Sequence, residues 1–239
     1  MLVPLKDDVG SHGAPLVTVG LILANLAVFA YQLSLQAGPD AGAAGAADAF
    51  LLEFGTIPCR LTGACGAPAE FPHPAATVLT AMFLHAGLFH VGGNMLYLWI
   101  FGNGVEDRLG HLRFLLFYLV AGVAAALAQT AAGPASRVPM VGASGAVSGV
   151  LGAYLLLFPY ARVLTLVLFG FFVRFVHVPA LLVLGLWIVV QLVSGVIAVG
   201  HAAGSGVDAG GVAWFAHIGG FVAGMALLFV LRPRSRRRL

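Results

Sequence analysis

The chain has 239 residues, and Lys, Arg, Asp and Glu together supply 9% of them, against roughly 25% in soluble domains. Its mean hydropathy is +1.00, and 60% of its residues are apolar. This composition excludes most water-soluble folds and predicts that lipid surrounds most of the chain. The net charge of +3 does not indicate nucleic-acid binding, because the basic residues are spread over short loops and one tail.

Six apolar runs are long enough to cross a bilayer as helices, which takes about 20 residues each. They lie near residues 15–36, 80–101, 112–132, 138–158, 178–199 and 211–231. The predicted fold class is therefore an all-α membrane protein built as a bundle of six transmembrane helices. The expected division is a cytoplasmic N-terminal segment at 1–14, the six-helix domain at 15–231 and a basic cytoplasmic tail at 232–239.

Basic residues flank these spans unequally. With the N terminus inside, ten Lys and Arg residues fall in the inner segments, whereas the outer segments contain only Arg60 and Arg137. Because cytoplasmic loops are enriched in Lys and Arg, this bias predicts that both termini are cytoplasmic. The apolar stretch 163–177, which contains Arg174 and His177, is then expected along the inner interface rather than across the bilayer.

Two cysteines, Cys59 and Cys65, lie in the first outer loop, roughly residues 36–77. On an oxidising outer face they form a disulfide, or they remain two free thiols, and the sequence leaves both alternatives open. The sequence contains neither a CxxC nor an HExxH string, so it predicts no zinc site.

Polar side chains interrupt three of the predicted spans. The second span contains His85, His90 and Asn94, the fourth contains Ser144, and the sixth contains His217. Polar groups are costly in hydrocarbon and mark function or interhelical packing. All three spans run inward from the outer side, and Ser144 and His217 each lie about six residues, or roughly 9 Å, into their helix. We therefore expect these groups to converge in a cavity that opens outward.

Small residues at a spacing of four accompany two of these polar groups. Gly145 and Gly149 follow Ser144, and Gly220 and Gly224 follow the histidine of the sixth span. Such stripes let transmembrane backbones approach closely. An alternative interpretation is that both stripes only pack helices and that Ser144 hydrogen-bonds its own backbone. The coincidence of a serine between two glycines with a histidine at matched depth favours chemistry.

A serine hydroxyl becomes a nucleophile when a base removes its proton, and histidine is suited to that task near neutral pH. Ser144 and His217 form such a pair. None of the six predicted spans contains an Asp or Glu in its interior, so we expect a dyad rather than a triad. The candidate donors to an oxyanion are the Asn94 amide, the His90 imidazole and the Ser144 N–H. His85 is expected to organise water or to be structural.

Taken together, these motifs resemble the rhomboid family of intramembrane serine proteases. Four motifs of this family occur in the family's order. The first two are HxxxxHxxxN at His85, His90 and Asn94, and GxxxExxxG at Gly102, Glu106 and Gly110. The last two are GxSG at Gly142 to Gly145, and HxxGxxxG at His217, Gly220 and Gly224. A single GxSG would be weakly specific, whereas the ordered set is specific. The resemblance also agrees with six helices.

This resemblance implies hydrolysis of peptide bonds in or near transmembrane segments of membrane-protein substrates, with no metal and no cofactor. It implies that Ser144 is the nucleophile and His217 the general base and acid. His90, Asn94 and Gly142 would then form the oxyanion and substrate-binding region. The expected location is the bacterial inner membrane, with lipids and transmembrane substrates as partners and no nucleic acid.

The chain departs from the family pattern in two places. The first outer loop lacks a Trp-Arg pair, and Ser148 stands where several members have an aromatic residue that packs on the catalytic histidine. The candidates to replace that aromatic are Trp214, Phe215 and Phe221.

Two other classes of function remain as alternatives. Glycine-rich helices with buried His and Asn are also typical of a small polytopic transporter. A non-catalytic rhomboid-like protein that binds transmembrane helices is the other alternative, although retention of both Ser144 and His217 argues against it.

Overall fold

The structure is a computed structural model that describes residues 2–10, 13–36, 44–66, 72–169, 172–205 and 212–232. The predicted basic tail beyond Arg232 lies outside these residues. The described helices are α1 (Leu16–Gln36), α2 (Ala44–Phe54), α3 (Pro58–Thr62), α4 (Pro74–Thr80), α5 (Leu88–Leu109), α6 (His111–Ala132), α7 (Ser144–Leu157), α8 (Ala180–Ser205) and α9 (Trp214–Leu231). The described strands are β1 (Leu2–Asp7), β2 (Arg162–Phe169) and β3 (Phe172–Pro179).

Four helices in the described part of the chain are long and apolar enough to cross a membrane, namely α1, α6, α8 and α9. The segment Pro74–Phe83 and α5 form a bent pair, at an angle of 81°, that passes the same test together. Helix α7 is apolar but has only 14 residues. The protein is thus mostly helical, and length and composition identify four or five of the six predicted spans.

The apolar run of the second span is broken, and one predicted helix start is wrong. The helix of the second span, which carries His90 and Asn94, begins at Leu88, because Leu84 to Gly87 separate it from a short 3-10 turn at Ala81–Phe83. The fourth begins at Ser144 rather than near residue 138. The preceding segment is extended, because the backbone of Met140 exchanges two hydrogen bonds with Thr56, at 3.0 and 2.7 Å. Ser144 is therefore the first residue of its helix, not the sixth.

A disulfide joins Cys59 to Cys65 between α1 and α4, which selects one of the two alternatives that the sequence leaves open. Cys59 is buried, and its N–H donates to the carbonyl of Ser136 in the loop before α7. The disulfide loop and the segment that leads into Ser144 therefore pack against each other.

Helix α5 extends to Leu109 and so contains Glu106, which is 1% exposed. The helix is longer than the predicted span 80–101, and its last turn carries this buried carboxylate. Its oxygens accept hydrogen bonds from Val17 N at 2.9 Å, Thr18 N at 2.8 Å and Thr18 Oγ1 at 2.7 Å. The first N–H groups of a helix have no intrahelical partner, and an anion stabilises that end. Glu106 therefore caps α1, about 24 Å along α5 from His90.

The strands form a three-stranded antiparallel sheet in the order β1-β2-β3. The all-α class is therefore wrong for these segments, and the stretch 163–177, expected along an interface, is a hairpin. Its residues are mostly β-branched or aromatic, which favours strands, and β1 from the N terminus pairs with β2. The sheet contacts α7 through Asp7, whose Oδ2 accepts a hydrogen bond from Tyr154 Oη at 2.5 Å.

Helices α7 and α9 touch through their glycines. A Cβ atom added at Gly220 would collide with the carbonyl oxygen of Gly145, and one added at Gly224 would collide with that of Gly149. On its other side, a Cβ at Gly149 would lie 2.6 Å from Ala121 Cβ in α6. The two predicted small-residue stripes thus face each other, and they bring the first turns of α7 and α9 side by side.

We predict that Gly224→Ala destabilises the fold by about 1–3 kcal/mol, because the added methyl must push two backbones apart. Thermal unfolding in detergent measures this loss. The matched control is Gly20→Ala in α1, where an added Cβ meets nothing within 4 Å. That variant should unfold at the wild-type temperature or higher, since alanine is the better helix former. Equal unfolding temperatures for Gly224→Ala and wild type would contradict the packing described.

A second prediction concerns Asp7. Burial raises the pKa of its carboxyl from the ordinary value of 3.8, so the folded protein holds this proton to higher pH than the unfolded chain does. Its contribution to stability should therefore fall as the pH rises from about 4 through the folded pKa. Asp7→Asn keeps an acceptor for Tyr154 and does not titrate.

The stability of Asp7→Asn relative to wild type should therefore increase with pH. Unfolding in detergent at about pH 4 and about pH 8 measures the difference. Asp48→Asn, which makes the same charge change at an exposed site on α2, is the control. If the difference in unfolding free energy between Asp7→Asn and wild type were the same at both pH values, the raised pKa of Asp7 would be refuted.

Candidate active site

Ser144 and His217 lie together at the N-terminal ends of α7 and α9. His217 Nε2 is 2.9 Å from Ser144 Oγ, within hydrogen-bonding distance. Ser144 is the first residue of α7, and His217 lies in the first turn of α9. The glycine contacts between these two helices bring the side chains within reach, although the serine is less deep in its helix than the sequence predicts.

The other ring nitrogen of His217 has a partner that sequence reasoning missed. Gln191 in α8 places Oε1 2.8 Å from His217 Nδ1. Gln191 is 5% exposed, and its Nε2 donates to the carbonyl of Trp187 at 3.2 Å. A signal was present, since Gln191 is the one amide in the mostly apolar helix α8 and polar residues in spans mark function.

Two tryptophan rings pack near the His217 imidazole, whereas the position in α7 where several family members have an aromatic residue is occupied by Ser148. The Trp187 ring lies 5.8 Å from the His217 ring between centroids, and the Trp214 ring lies 6.4 Å from it. Of the three candidates from the sequence, Trp214 contacts the histidine, Phe221 packs on Trp187 at 6.2 Å, and Phe215 lines the adjacent cavity. Trp187 was missed, although it precedes Gln191 by one helical turn.

Ser148 bonds to the backbone rather than to the imidazole. Its Oγ donates to the carbonyl oxygen of Ser144 at 2.6 Å, a common arrangement for serine within a helix. The backbone-bonding interpretation considered for Ser144 therefore applies to Ser148 instead.

His90 faces Ser144 across a glycine. Ala86 N donates to His90 Nδ1 at 3.3 Å, so in the neutral ring the proton lies on Nε2. A Cβ atom at Gly142, whose φ is +120°, would lie 2.7 Å from that Nε2. The Gly142 N–H already donates to the carbonyl of Ala81 at 2.9 Å. Gly142 therefore gives the His90 ring room, and its own N–H is already bonded within the protein.

Asn94 and His85 form a pair behind His90. Asn94 Nδ2 lies 2.9 Å from His85 Nε2, which leaves a second N–H of the amide for another acceptor. The His85 backbone exchanges two 3.0 Å hydrogen bonds with the Gln32 side chain in α1. His85 is 1% exposed and is not among the described residues that line the cavity. His85 contacts Asn94 from the side away from the cavity, which agrees with the structural role, one of the two expected for it.

A cavity of about 620 Å³ adjoins these groups. Its described lining includes Ser144, His217, His90, Asn94 and Ser148. Its lining also includes residues of the loop before α7 and Phe89, which is 99% exposed. The cavity has the volume of a ligand pocket. In the described part of the chain, no group of three His, Cys, Asp or Glu side chains is arranged to hold a metal ion.

Helix α9 is capped by a side chain from another helix. Gln129 Oε1 in α6 accepts hydrogen bonds from Phe215 N at 3.0 Å and Ala216 N at 3.2 Å. These N–H groups belong to the first turn of α9 and lack intrahelical partners. Gln129 therefore holds the turn that carries His217, a role that the sequence analysis did not find.

The comparisons with known proteins agree with the motifs. A family model described as Rhomboid domain matches residues 73–234. RHOMBOID-like protein 1 of Arabidopsis thaliana is 30% identical over 236 residues, which cover 92% of this chain and 54% of the relative. Rhomboid protease GluP of Bacillus subtilis is 45% identical over 78 residues, which cover 33% of this chain and 15% of the relative. This chain thus spans about half or less of the length of these relatives.

We predict that Gly142→Ala lowers the unfolding free energy by about 1–3 kcal/mol, because alanine at a φ of +120° is strained and its methyl meets the His90 ring. Unfolding in detergent measures the loss. Gly92→Ala is the control, since an added Cβ there meets nothing within 4 Å. Equal stability of Gly142→Ala and Gly92→Ala would contradict the close approach of His90.

Proposed function

The chain belongs to the Rhomboid family, and on this premise we propose that it is an intramembrane serine endopeptidase. It hydrolyses peptide bonds in or near transmembrane segments of membrane-protein substrates through Ser144 and His217. The single observation that carries the proposal is the 2.9 Å contact between Ser144 Oγ and His217 Nε2 beside a large cavity. Relatives named as rhomboid proteases support the reaction class.

The first step forms an acyl-enzyme. Ser144 Oγ attacks the carbonyl carbon of the scissile bond, and its proton passes to His217 Nε2. The tetrahedral intermediate collapses when the imidazolium donates that proton to the leaving amine nitrogen, so the C–N bond breaks. A water molecule from the cavity then attacks the acyl carbon with His217 as base, which releases the carboxyl product and restores the serine.

The negative charge that develops on the carbonyl oxygen is stabilised by hydrogen-bond donors that already point toward it in the resting site. His90 offers Nε2–H, Asn94 offers the second N–H of its amide, and Ser144 offers a backbone N–H of the first turn of α7, which has no intrahelical partner. The positive end of the α7 dipole acts in the same direction. Removal of one such donor typically costs about 2.7–4 kcal/mol of barrier.

The proposal includes the topology. Four full-length helices, the bent pair of α4 and α5 and the short α7 together supply six membrane segments within a domain at 15–231. Both termini are then cytoplasmic, and the candidate site opens to the outer side. The protein is an inner-membrane protein of a bacterium in this proposal, whereas its relatives include bacterial, mitochondrial and chloroplast members.

Cleavage of a reporter membrane protein in liposomes tests the mechanism. We expect Ser144→Ala and His217→Ala to lower the cleavage rate by about 10³-fold or more, because each removes half of the proton-transfer pair. Only the wild type should react with a fluorophosphonate probe at this site, since the probe requires an activated serine. Ser34→Ala, an exposed helix serine bonded to the carbonyl of Tyr31, is the control and should cleave normally.

Other outcomes would select the alternatives. Undiminished cleavage by Ser144→Ala would exclude the dyad. Substrate-dependent flux that survives in Ser144→Ala would favour a transporter. Binding of transmembrane helices without cleavage or probe labelling would favour a non-catalytic rhomboid-like protein.

A further inference from the structure

Gln191 contacts the side of His217 that faces away from Ser144. Its Oε1 lies 2.8 Å from His217 Nδ1, while His217 Nε2 lies 2.9 Å from Ser144 Oγ. The three side chains come from α8, α9 and α7 and form one continuous hydrogen-bonded row. Gln191 and Ser144 therefore bind opposite nitrogens of one ring.

The amide has one orientation that satisfies its neighbours. The carbonyl of Trp187 can only accept a hydrogen bond, so the Gln191 group that faces it at 3.2 Å is the Nε2 donor. The remaining amide atom, Oε1, can only accept, and it faces His217 Nδ1. A hydrogen bond there requires a proton on Nδ1. In a neutral imidazole the lone pair is then on Nε2, directed at the serine hydroxyl.

We propose that Gln191 is a positioning residue that holds His217 in the tautomer able to accept the proton of Ser144. This inference rests on the proposed function. In the opposite tautomer, Nε2–H would face the serine hydroxyl and no base would be present. Gln191 thus orients the imidazole, as the carboxylate does in a serine protease triad. The dyad expected from the sequence is then extended by a third residue, which is uncharged.

The use of an amide has a physical reason in this helix. Gln191 is 5% exposed in an apolar helix, where an ionised carboxylate would be costly in the resting protein. An amide is uncharged in the resting state, yet its carbonyl dipole still accepts from Nδ1–H when His217 becomes an imidazolium. Trp187 supports the same arrangement, because its carbonyl orients the amide and its ring lies 5.8 Å from the imidazole.

Three variants in liposomes test the inference. Gln191→Met keeps the length of the side chain but removes the acceptor, so we expect kcat to fall about ten- to a hundredfold, the usual cost of losing an orienting partner, with little change in KM. Gln191→Glu restores an acceptor oxygen in either protonation state and should recover most of the lost kcat. Leu192→Met places a methionine at the neighbouring exposed position and should cleave like the wild type.

The imidazole tautomer can be measured directly. In Ser144→Ala protein labelled with ¹⁵N-histidine, the His217 signals are identified by their loss when His217→Ala is added. At about pH 8.5, above the ordinary histidine pKa of about 6.5, we expect a protonated Nδ1 and an unprotonated Nε2. Gln191→Met should produce a mixture of tautomers. A purely structural role for Gln191 would leave this spectrum unchanged.

The outcomes separate this inference from the proposed function. Wild-type kcat in Gln191→Met, together with inactive Ser144→Ala, would overturn the positioning role and leave the protease intact. A dominant Nε2–H tautomer in otherwise unmodified Ser144→Ala would overturn it as well, even if Gln191→Met did not fold. Full cleavage by Ser144→Ala would instead overturn the proposed function itself.

Discussion

The backbone contact between α7 and α9 is the constraint on which the candidate site depends. Gly220 and Gly224 leave no room for a side chain against the carbonyls of Gly145 and Gly149. The helices can approach this closely only because small residues repeat every four positions on both. That approach brings Ser144 Oγ to 2.9 Å from His217 Nε2, although 73 residues separate them in the chain.

Side chains that cap neighbouring helices hold the ends of this bundle. Glu106 in α5 accepts from the first N–H groups of α1, and Gln129 in α6 accepts from those of α9. The first N–H groups of a helix lack intrahelical partners, so acceptors from elsewhere in the protein stabilise that end. Each cap also fixes the position of one helix relative to another. A polar side chain in a span can therefore hold the end of a neighbouring helix, which is why the sequence alone does not distinguish the capping role of Gln129 from the role expected of Asn94.

The sequence predicts the contact between Ser144 and His217 better than it predicts the side chains around them. Ser144 and His217 are recognisable because flanking glycines and motif order place them, whereas Gln191 and Trp187 depend on the rotation of α8, which an almost uniformly apolar helix does not reveal. The start of α7 is wrong because the backbone pairing of Met140 with Thr56 comes from tertiary contact. The hairpin at β2 and β3 is likewise decided by its pairing with β1.

The short length of α7 sets the position of Ser144 relative to the opposite end of the helix. Its 14 residues span about 21 Å, against about 30 Å for the hydrocarbon layer. The hydrogen bond from Tyr154 to Asp7 fixes the C-terminal part of α7 to the sheet. The distance from the sheet to Ser144 therefore depends on the number of helical residues between Ser144 and Tyr154. One additional turn would raise the hydroxyl by about 5.4 Å. For the proposed protease, the cleavage position along a substrate helix would then depend on the length of α7 as well as on the fit of the substrate side chains.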